Sequence, residues 1–282
     1  MEKIKMECPA KINLSLDILG KRNDGYHELK MIMQSIDLFD ELFLEKTAQG
    51  IDICCDNKAV PTDQTNICYK VAEKLFEKYS IKSGINIKIV KRIPVAAGLA
   101  GGSTDAAGLI QGINQLYELG MSNEEMFELG RSVGADVPFC LLKGTALAEG
   151  IGEILTPLKA LEAWCVIAKP NIAVSTASVF QAYKPDEVLH HPNTELLIRL
   201  VNEGNLPELA ENMINVLESV TIKRHEIIDQ IKIIMGEYSA LGSLMSGSGP
   251  TVFGIFESKA DAEKCYHRLR DYLDEVYLTK TI

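Results

Sequence analysis

The stretch Pro94-Val95-Ala96-Ala97-Gly98-Leu99-Ala100-Gly101-Gly102-Ser103-Thr104 has the composition of a phosphate clamp. Its small residues leave backbone N–H groups bare, let a ligand come close, and permit positive φ where glycine sits. Immediately after it, Ala106, Leu109, Ile110, Ile113, Leu116 and Tyr117 recur at helical spacing, so the loop opens into an amphipathic helix. The N-terminal end of that helix offers unpaired donors and the positive end of the helix dipole, which together favour an anion, phosphate above all. Ser103 and Thr104 add hydroxyls there. Two common phosphate loops are excluded, because no Lys follows Gly102 and no G-x-G-x-x-G follows a strand. On composition alone, the same loop also serves to pack a helix closely on a strand.

Four other places carry groups with chemical use. Lys11 lies among apolar residues in Pro9-Ala10-Lys11-Ile12-Asn13-Leu14, either as an exposed strand lysine or as a cation held at a site. Tyr26 and His27 close the polar loop 20–29, as rim residues or as a stacking platform for a flat ligand. Asp136 follows Gly134-Ala135 and precedes Val137-Pro138-Phe139, a lone carboxylate that suits either a helix N-cap or a functional acid. Near the C-terminus, Ser246-Gly247-Ser248-Gly249-Pro250 suits a plain hairpin turn or the close approach of backbone to a ligand.

The elements that must hold these groups alternate between strand and helix. One or two strands are expected over 4–19, short strands over 36–45 and 51–55, and a turn at Ala48-Gln49-Gly50. Asn66 caps a helix with Ile67, Val71, Ala72, Leu75 and Tyr79 on one face. Gly84 opens a strand in which Ile85, Ile87 and Ile89 alternate, and that strand delivers the chain to the clamp. Ser122 and Glu125 form a capping box for a helix that stops at Gly134, and a strand over 144–148 and a tight turn at Gly150-Ile151-Gly152 follow. The pattern restarts near 155–163, so the expected domains are 1–158 and 159–282. The second opens on a buried strand at 164–168 and continues with a short helix, capped by Ser175 or Thr176, that holds Val179 and Phe180. A polar loop over 184–193, with His190 and His191 solvated, leads into mostly helical chain from Pro207 through Ile234. Strands at 241–245, 251–256 and 276–281 and a helix at 259–273 close it.

At 282 residues, 46% hydrophobic and 24% charged, the chain is long enough for a large core and has a globular profile. No apolar run reaches membrane-span length and the N-terminus has no signal-peptide pattern, so a cytoplasmic protein with no membrane partner is expected. A net charge of −10 argues against nucleic acid as a partner. Seven Cys without a C-x-x-C pair are read as reduced thiols.

Taken together, Pro9-Ala10-Lys11-Ile12-Asn13-Leu14, the clamp Pro94-x-x-x-Gly98-Leu99-x-x-Gly102-Ser103 and Ser246-Gly247-Ser248-Gly249-Pro250-Thr251 resemble, in order and spacing, the three motifs of the GHMP kinases, over nearly the whole chain. The resemblance implies an α+β fold of two domains with the active site in the cleft between them, and phosphoryl transfer from ATP with Mg2+. It implies Asp136 as general base, Lys11 as its partner near the acceptor hydroxyl, Asn13 as a positioning group, residues 94–104 on ATP, and Ser103 as a candidate metal ligand. Gly25-Tyr26-His27 and Gly134-Ala135-Asp136-Val137-Pro138-Phe139 narrow the likeness to members with a cytidine acceptor. Tyr26, His27 and Phe180 would then form the cytosine pocket, with Gly247 and Ser248 also on the acceptor. Other kinases of the superfamily, of homoserine or mevalonate type, and a non-catalytic nucleotide-binding regulator are the alternatives. The partners expected are small molecules only, with the chain a monomer or weak homodimer.

Overall fold

Two unusually long strands begin the chain. In the computed structural model, which describes residues 2–282, β1 (Lys3–Lys21) and β2 (His27–Thr47) pair with one another, so the strand expected over 36–45 starts nine residues earlier. The reason is tertiary: Leu29 to Gln34 lie opposite Gly150 to Thr145, which extends β2 back to the edge of the loop. The turn at Gly50 (φ 84°) leads to β3 (Ile51–Cys55), and Asn66 caps α1 (Ile67–Lys78) by accepting from Cys68 N. Then come β4 (Gly84–Val90), α2 (Gly101–Tyr117), α3 (Asn123–Val133), α4 (Val137–Leu142), β5 (Thr145–Gly150), β6 (Ile154–Pro157) and β7 (Trp164–Lys169). The remainder is α5 (Thr176–Ala182), a 3-10 turn (Pro185–Glu187), α6 (Thr194–Glu203), α7 (Leu206–Glu211), α8 (Glu218–Arg224), α9 (Ile227–Glu237), β8 (Gly242–Met245), β9 (Val252–Phe256), α10 (Lys259–Arg270) and β10 (Glu275–Lys280).

The contacts divide the chain into two compact units. The first comprises residues 1–10, 38–95 and 100–142. There β2 pairs antiparallel with β4, and β4 pairs parallel with β3. Leu42, Leu44, Ile85, Ile87 and Ile89 from these strands are buried against Val71 and Leu75 of α1 and Leu109, Ile110 and Ile113 of α2. Helix α2 carries Gly108 and Gly112 one turn apart because β1 and β2 lie against it. A Cβ on Gly108 would sit 2.3 Å from Cys8 Sγ, and one on Gly112 2.3 Å from Leu44 Cδ1.

The second unit comprises residues 11–37, 96–99 and 143–282. It contains the antiparallel sheet β10-β7-β9-β8 and the pairing of β2 with β5 and of β5 with β6. Val166, Ile167, Phe253 and Ile255 are buried in it, together with Ile228, Ile231 and Met235 of α9 and Cys265 and Leu269 of α10. His190 and His191 are both exposed, as expected of a solvated pair, and His191 Nδ1 in addition lies 2.7 Å from Asp17 Oδ1 of β1, a partner too distant in sequence for local reading. None of the seven cysteines is in a disulfide.

Candidate active site

The clamp is braced from below by a buried charge cluster. Asp40 of β2 accepts hydrogen bonds from Arg92 N (2.6 Å) and Ile93 N (2.9 Å), fixing the chain where it leaves β4. Lys91 bonds Asp40 and also Asp105 of α2 (3.0 Å), so one ammonium ties the entrance of the loop to the first turns of the helix that follows it. Burial, reinforced by Asp40 and opposed by Lys91, pushes the Asp105 carboxyl up to about 8. Burial pulls Lys91 down, but its two carboxylates raise it on balance and keep it charged. A carboxyl raised in the fold binds more protons folded than unfolded between about pH 4 and 8, so its contribution to stability is lost as pH rises through that window. Asp105→Asn, which keeps an acceptor for Lys91, is therefore expected to flatten the fall in melting temperature between pH 6 and 9. A variant whose pH profile parallels that of the wild type would contradict this.

Within the loop, left-handed backbone falls at Ala96 (φ 53°), Gly98 (φ 75°) and Ala100 (φ 58°). Alanine in that region costs on the order of 1 kcal/mol, and such strain gathers at ligand sites. Ala100 is the N-cap of α2 and no side chain caps the helix, so its first-turn N–H groups are left for something other than a cap. Ser103 and Thr104 both lie in the opening turn of α2, and Thr104 Oγ1 and Asp105 Oδ1 are buried without a hydrogen-bond partner.

The middle of the clamp packs on the third motif. Ser246 Oγ donates to Gly98 O (3.0 Å), and a Cβ on Gly98 would lie 2.3 Å from Ser246 O, so only glycine fits. Lys11 N donates to Leu99 O (3.1 Å), Lys11 Nζ donates to Asn13 Oδ1 (2.7 Å), and Asn13 Nδ2 points at Met31 Sδ (3.3 Å). Lys11 is 5% exposed and Asn13 1%, which removes the exposed-lysine alternative. A Cβ on Gly247 would come 3.7 Å from Asn13 Oδ1 and 3.5 Å from Gly98 O. Lys11, Asn13, Gly98, Leu99 and Gly247 thus form one neighbourhood.

Asp136 stands immediately before α4, and its carbonyl accepts from Cys140 N (3.1 Å), as an N-cap residue's does. Helix α4 follows Asp136 as the N-cap alternative requires, and Pro138, which reads as a breaker, lies in the first helical turn, where it forfeits no hydrogen bond. A Cβ on Gly134 would lie 3.9 Å from Ser103 Oγ, so the approach to Asp136 runs beside the start of α2.

The His27 and Phe180 rings pack with centroids 5.3 Å apart and planes tilted by 34°, and Tyr183 meets His27 edge-on at 6.5 Å. Tyr183 was missed, although Val179, Phe180 and Tyr183 follow helical spacing; its hydroxyl is buried without a partner. Tyr26 is 61% exposed, and the ring contacts run from His27 to Phe180 and Tyr183. Burial, aided by Lys21, holds the His27 pKa below its usual value, so the imidazole is neutral near pH 7.

Residues 66–144 match the family described as GHMP kinases N terminal domain, and residues 197–275 match GHMP kinases C terminal. A solved structure described as 4-(cytidine 5'-diphospho)-2C-methyl-D-erythritol kinase superposes with a TM-score of 0.87 at 31% identity, covering 99% of each chain. A homoserine kinase from Cytophaga hutchinsonii shares the fold at a TM-score of 0.78 and 20% identity, covering 100% of this chain and 98% of its own. The fold and its three motifs define a class: the chain belongs to the GHMP kinases and is an ATP-dependent small-molecule kinase of α+β fold. Relatives named 4-diphosphocytidyl-2-C-methyl-D-erythritol kinase are 52% identical in Acetivibrio thermocellus, over 100% of both chains, and 48% identical in Caldicellulosiruptor saccharolyticus, over 98% of this chain and 96% of that one. Within the class, the chain is a member of that family.

Proposed function

We propose that the chain transfers the γ-phosphoryl group of ATP to the 2-hydroxyl of 4-diphosphocytidyl-2-C-methyl-D-erythritol, a step in the non-mevalonate route to isoprenoid precursors. Full-length identity of 52% to a kinase of that name carries the reading, and the packed His27 and Phe180 rings suit its cytosine. The decisive test is a panel of ATP-dependent assays with the cytidine acceptor, homoserine and mevalonate. Turnover confined to the first supports the proposal, and preference for either of the others defeats it.

In the proposed reaction the acceptor oxygen attacks the γ-phosphorus as the bond to the β-phosphate oxygen breaks and ADP leaves. The hydroxyl proton passes to the Asp136 carboxylate, and Lys11 offsets negative charge near the attacking oxygen. Asn13 orients Lys11 through their 2.7 Å hydrogen bond. The N–H groups of 94–104 and the uncapped start of α2 cradle the phosphates. Ser103, in the opening turn of α2, would hold a magnesium ion through its hydroxyl, an oxygen donor of the kind that ion takes. When bound, Mg2+ supplies neutralisation of charge on the transferring phosphates.

Gly101 gives a direct test of the clamp. Its φ is not left-handed, but a Cβ there would lie 3.1 Å from Lys91 Nζ and 3.3 Å from Ile93 Cγ2, so a branched side chain is forced toward the loop. Gly101→Val is expected to raise the Kd for ATP about 10-fold or more, equivalent to about 1.4 kcal/mol, while the protein stays folded. Nucleotide titration beside a melting curve checks it, and unchanged affinity would leave the loop a purely structural device. The same proposal makes the protein cytoplasmic, in keeping with seven cysteines outside any disulfide, and a monomer or weak homodimer that binds no nucleic acid.

A further inference from the structure

The loop 246–250 turns through left-handed backbone at Gly247 (φ 58°) and Gly249 (φ 90°) and closes on itself through Ser246 N to Thr251 O (2.9 Å) and Gly249 N to Ser246 O (3.0 Å). Further support comes from three side chains spaced three residues apart, Asn215 just before α8 and Glu218 and Thr221 within it. Asn215 Nδ2 donates to Met245 O and to Gly247 O, both at 2.8 Å. Glu218 Oε1 accepts from Met245 N (2.9 Å), and Thr221 Oγ1 donates to Ser248 O (3.2 Å). Asn215 is 3% exposed and Thr221 is fully buried, so these bonds form away from water.

Two of these side chains are themselves anchored. Asn215 Oδ1 accepts from Leu217 N (3.0 Å), and Glu218 Oε2 accepts from Lys232 Nζ (2.7 Å). The backbone on either side of Asn215 is bonded to β1, with Leu16 N donating to Ile214 O (2.9 Å) and Val216 N donating to Leu16 O (3.0 Å). Strand β1 is the one that carries Lys11 and Asn13. On the far side of the loop, Ser248 Oγ and Thr176 Oγ1 are 2.8 Å apart, which ties it to α5 and hence to Phe180.

We infer that Asn215, Glu218 and Thr221 are positioning residues for the acceptor: they register the loop 246–250 against β1 and α5 so that Gly247, Ser248, Asn13 and Phe180 present one rigid surface. The inference rests on the reading of Gly247 and Ser248 as acceptor-binding. Asn215→Asp keeps the shape and the bond from Leu217 N but replaces the amide donor with a carboxylate facing two carbonyl oxygens. Thr221→Val is nearly isosteric and loses only the bond to Ser248 O, while Thr221→Ser keeps it.

Steady-state kinetics with both substrates, beside melting curves, test this. Asn215→Asp is expected to raise KM for the cytidine acceptor about 10-fold or more and Thr221→Val about 3-fold, with Thr221→Ser near wild type and KM for ATP moved by less than about 2-fold. If Asn215→Asp does not fold, the Thr221 pair decides. Wild-type KM for the acceptor in Thr221→Val, equal impairment in Thr221→Ser, or a rise in KM for ATP that matches that for the acceptor overturns the inference. A wild-type enzyme inert toward the cytidine acceptor is a separate result: it removes the proposed function itself, and the positioning role with it.

Discussion

Asp136→Asn is expected to lower kcat by about 10²- to 10⁴-fold, the range a positioned general base contributes, while ATP still binds. The substitution separates chemistry from structure because of where Asp136 stands. It precedes α4, and its carbonyl accepts from Cys140 N (3.1 Å). Asn and Asp cap helices about equally well, so the amide preserves the start of α4 and removes only the group that accepts the hydroxyl proton. Asp136→Ala should lose the cap as well, at about 0.5–2 kcal/mol of stability. Single-turnover rates and nucleotide titration on the Asn variant, with melting curves for both, give the comparison. An Asn variant that turns over at the wild-type rate would assign the base elsewhere.

Much of the frame around Asp136 is written locally. The Asn66 cap, the Ser122 and Glu125 capping box and the alternation of Ile85, Ile87 and Ile89 each depend on residues a few positions apart, and the structure holds all three. The apolar face of the clamp helix is equally direct, with Ala106, Leu109, Ile110, Ile113 and Leu116 buried. Long-range pairing was not legible. Nothing near Leu29 says that β5 will draw it into a strand, nothing near His191 points to Asp17, and Lys91 gains its meaning only when Asp40 and Asp105 arrive from two other elements. In the clamp the left-handed positions are Ala96, Gly98 and Ala100, two of them alanines whose strain no propensity rule would choose. Asn215 shows locally only its turn-type bond from Leu217 N, while the carbonyls its amide reaches lie 30 and 32 residues away.

Phe180→Ala is expected to raise KM for the cytidine acceptor about 5- to 100-fold and to leave KM for ATP nearly unchanged. The magnitude follows from base stacking on an aromatic ring, worth about 1–3 kcal/mol, with each 1.36 kcal/mol a factor of ten. The ring is placed for that use: Phe180 sits in α5, whose first turn Ser175 caps, and packs at 5.3 Å on His27, which Tyr183 supports edge-on. His27 should show the same preference through pH. Burial lowers its pKa, so the neutral ring is the form the fold favours near pH 7, and as pH falls through that lowered value it gains a charge that a stacked, hydrogen-bonding base does not want. KM for the acceptor should therefore rise on acidification through a pH below the usual histidine range, from a level that is flat near neutrality. If Phe180→Ala instead raised KM for ATP and spared the acceptor, the packed rings would belong to the donor nucleotide, and the acceptor would have to find its base contacts outside His27, Phe180 and Tyr183.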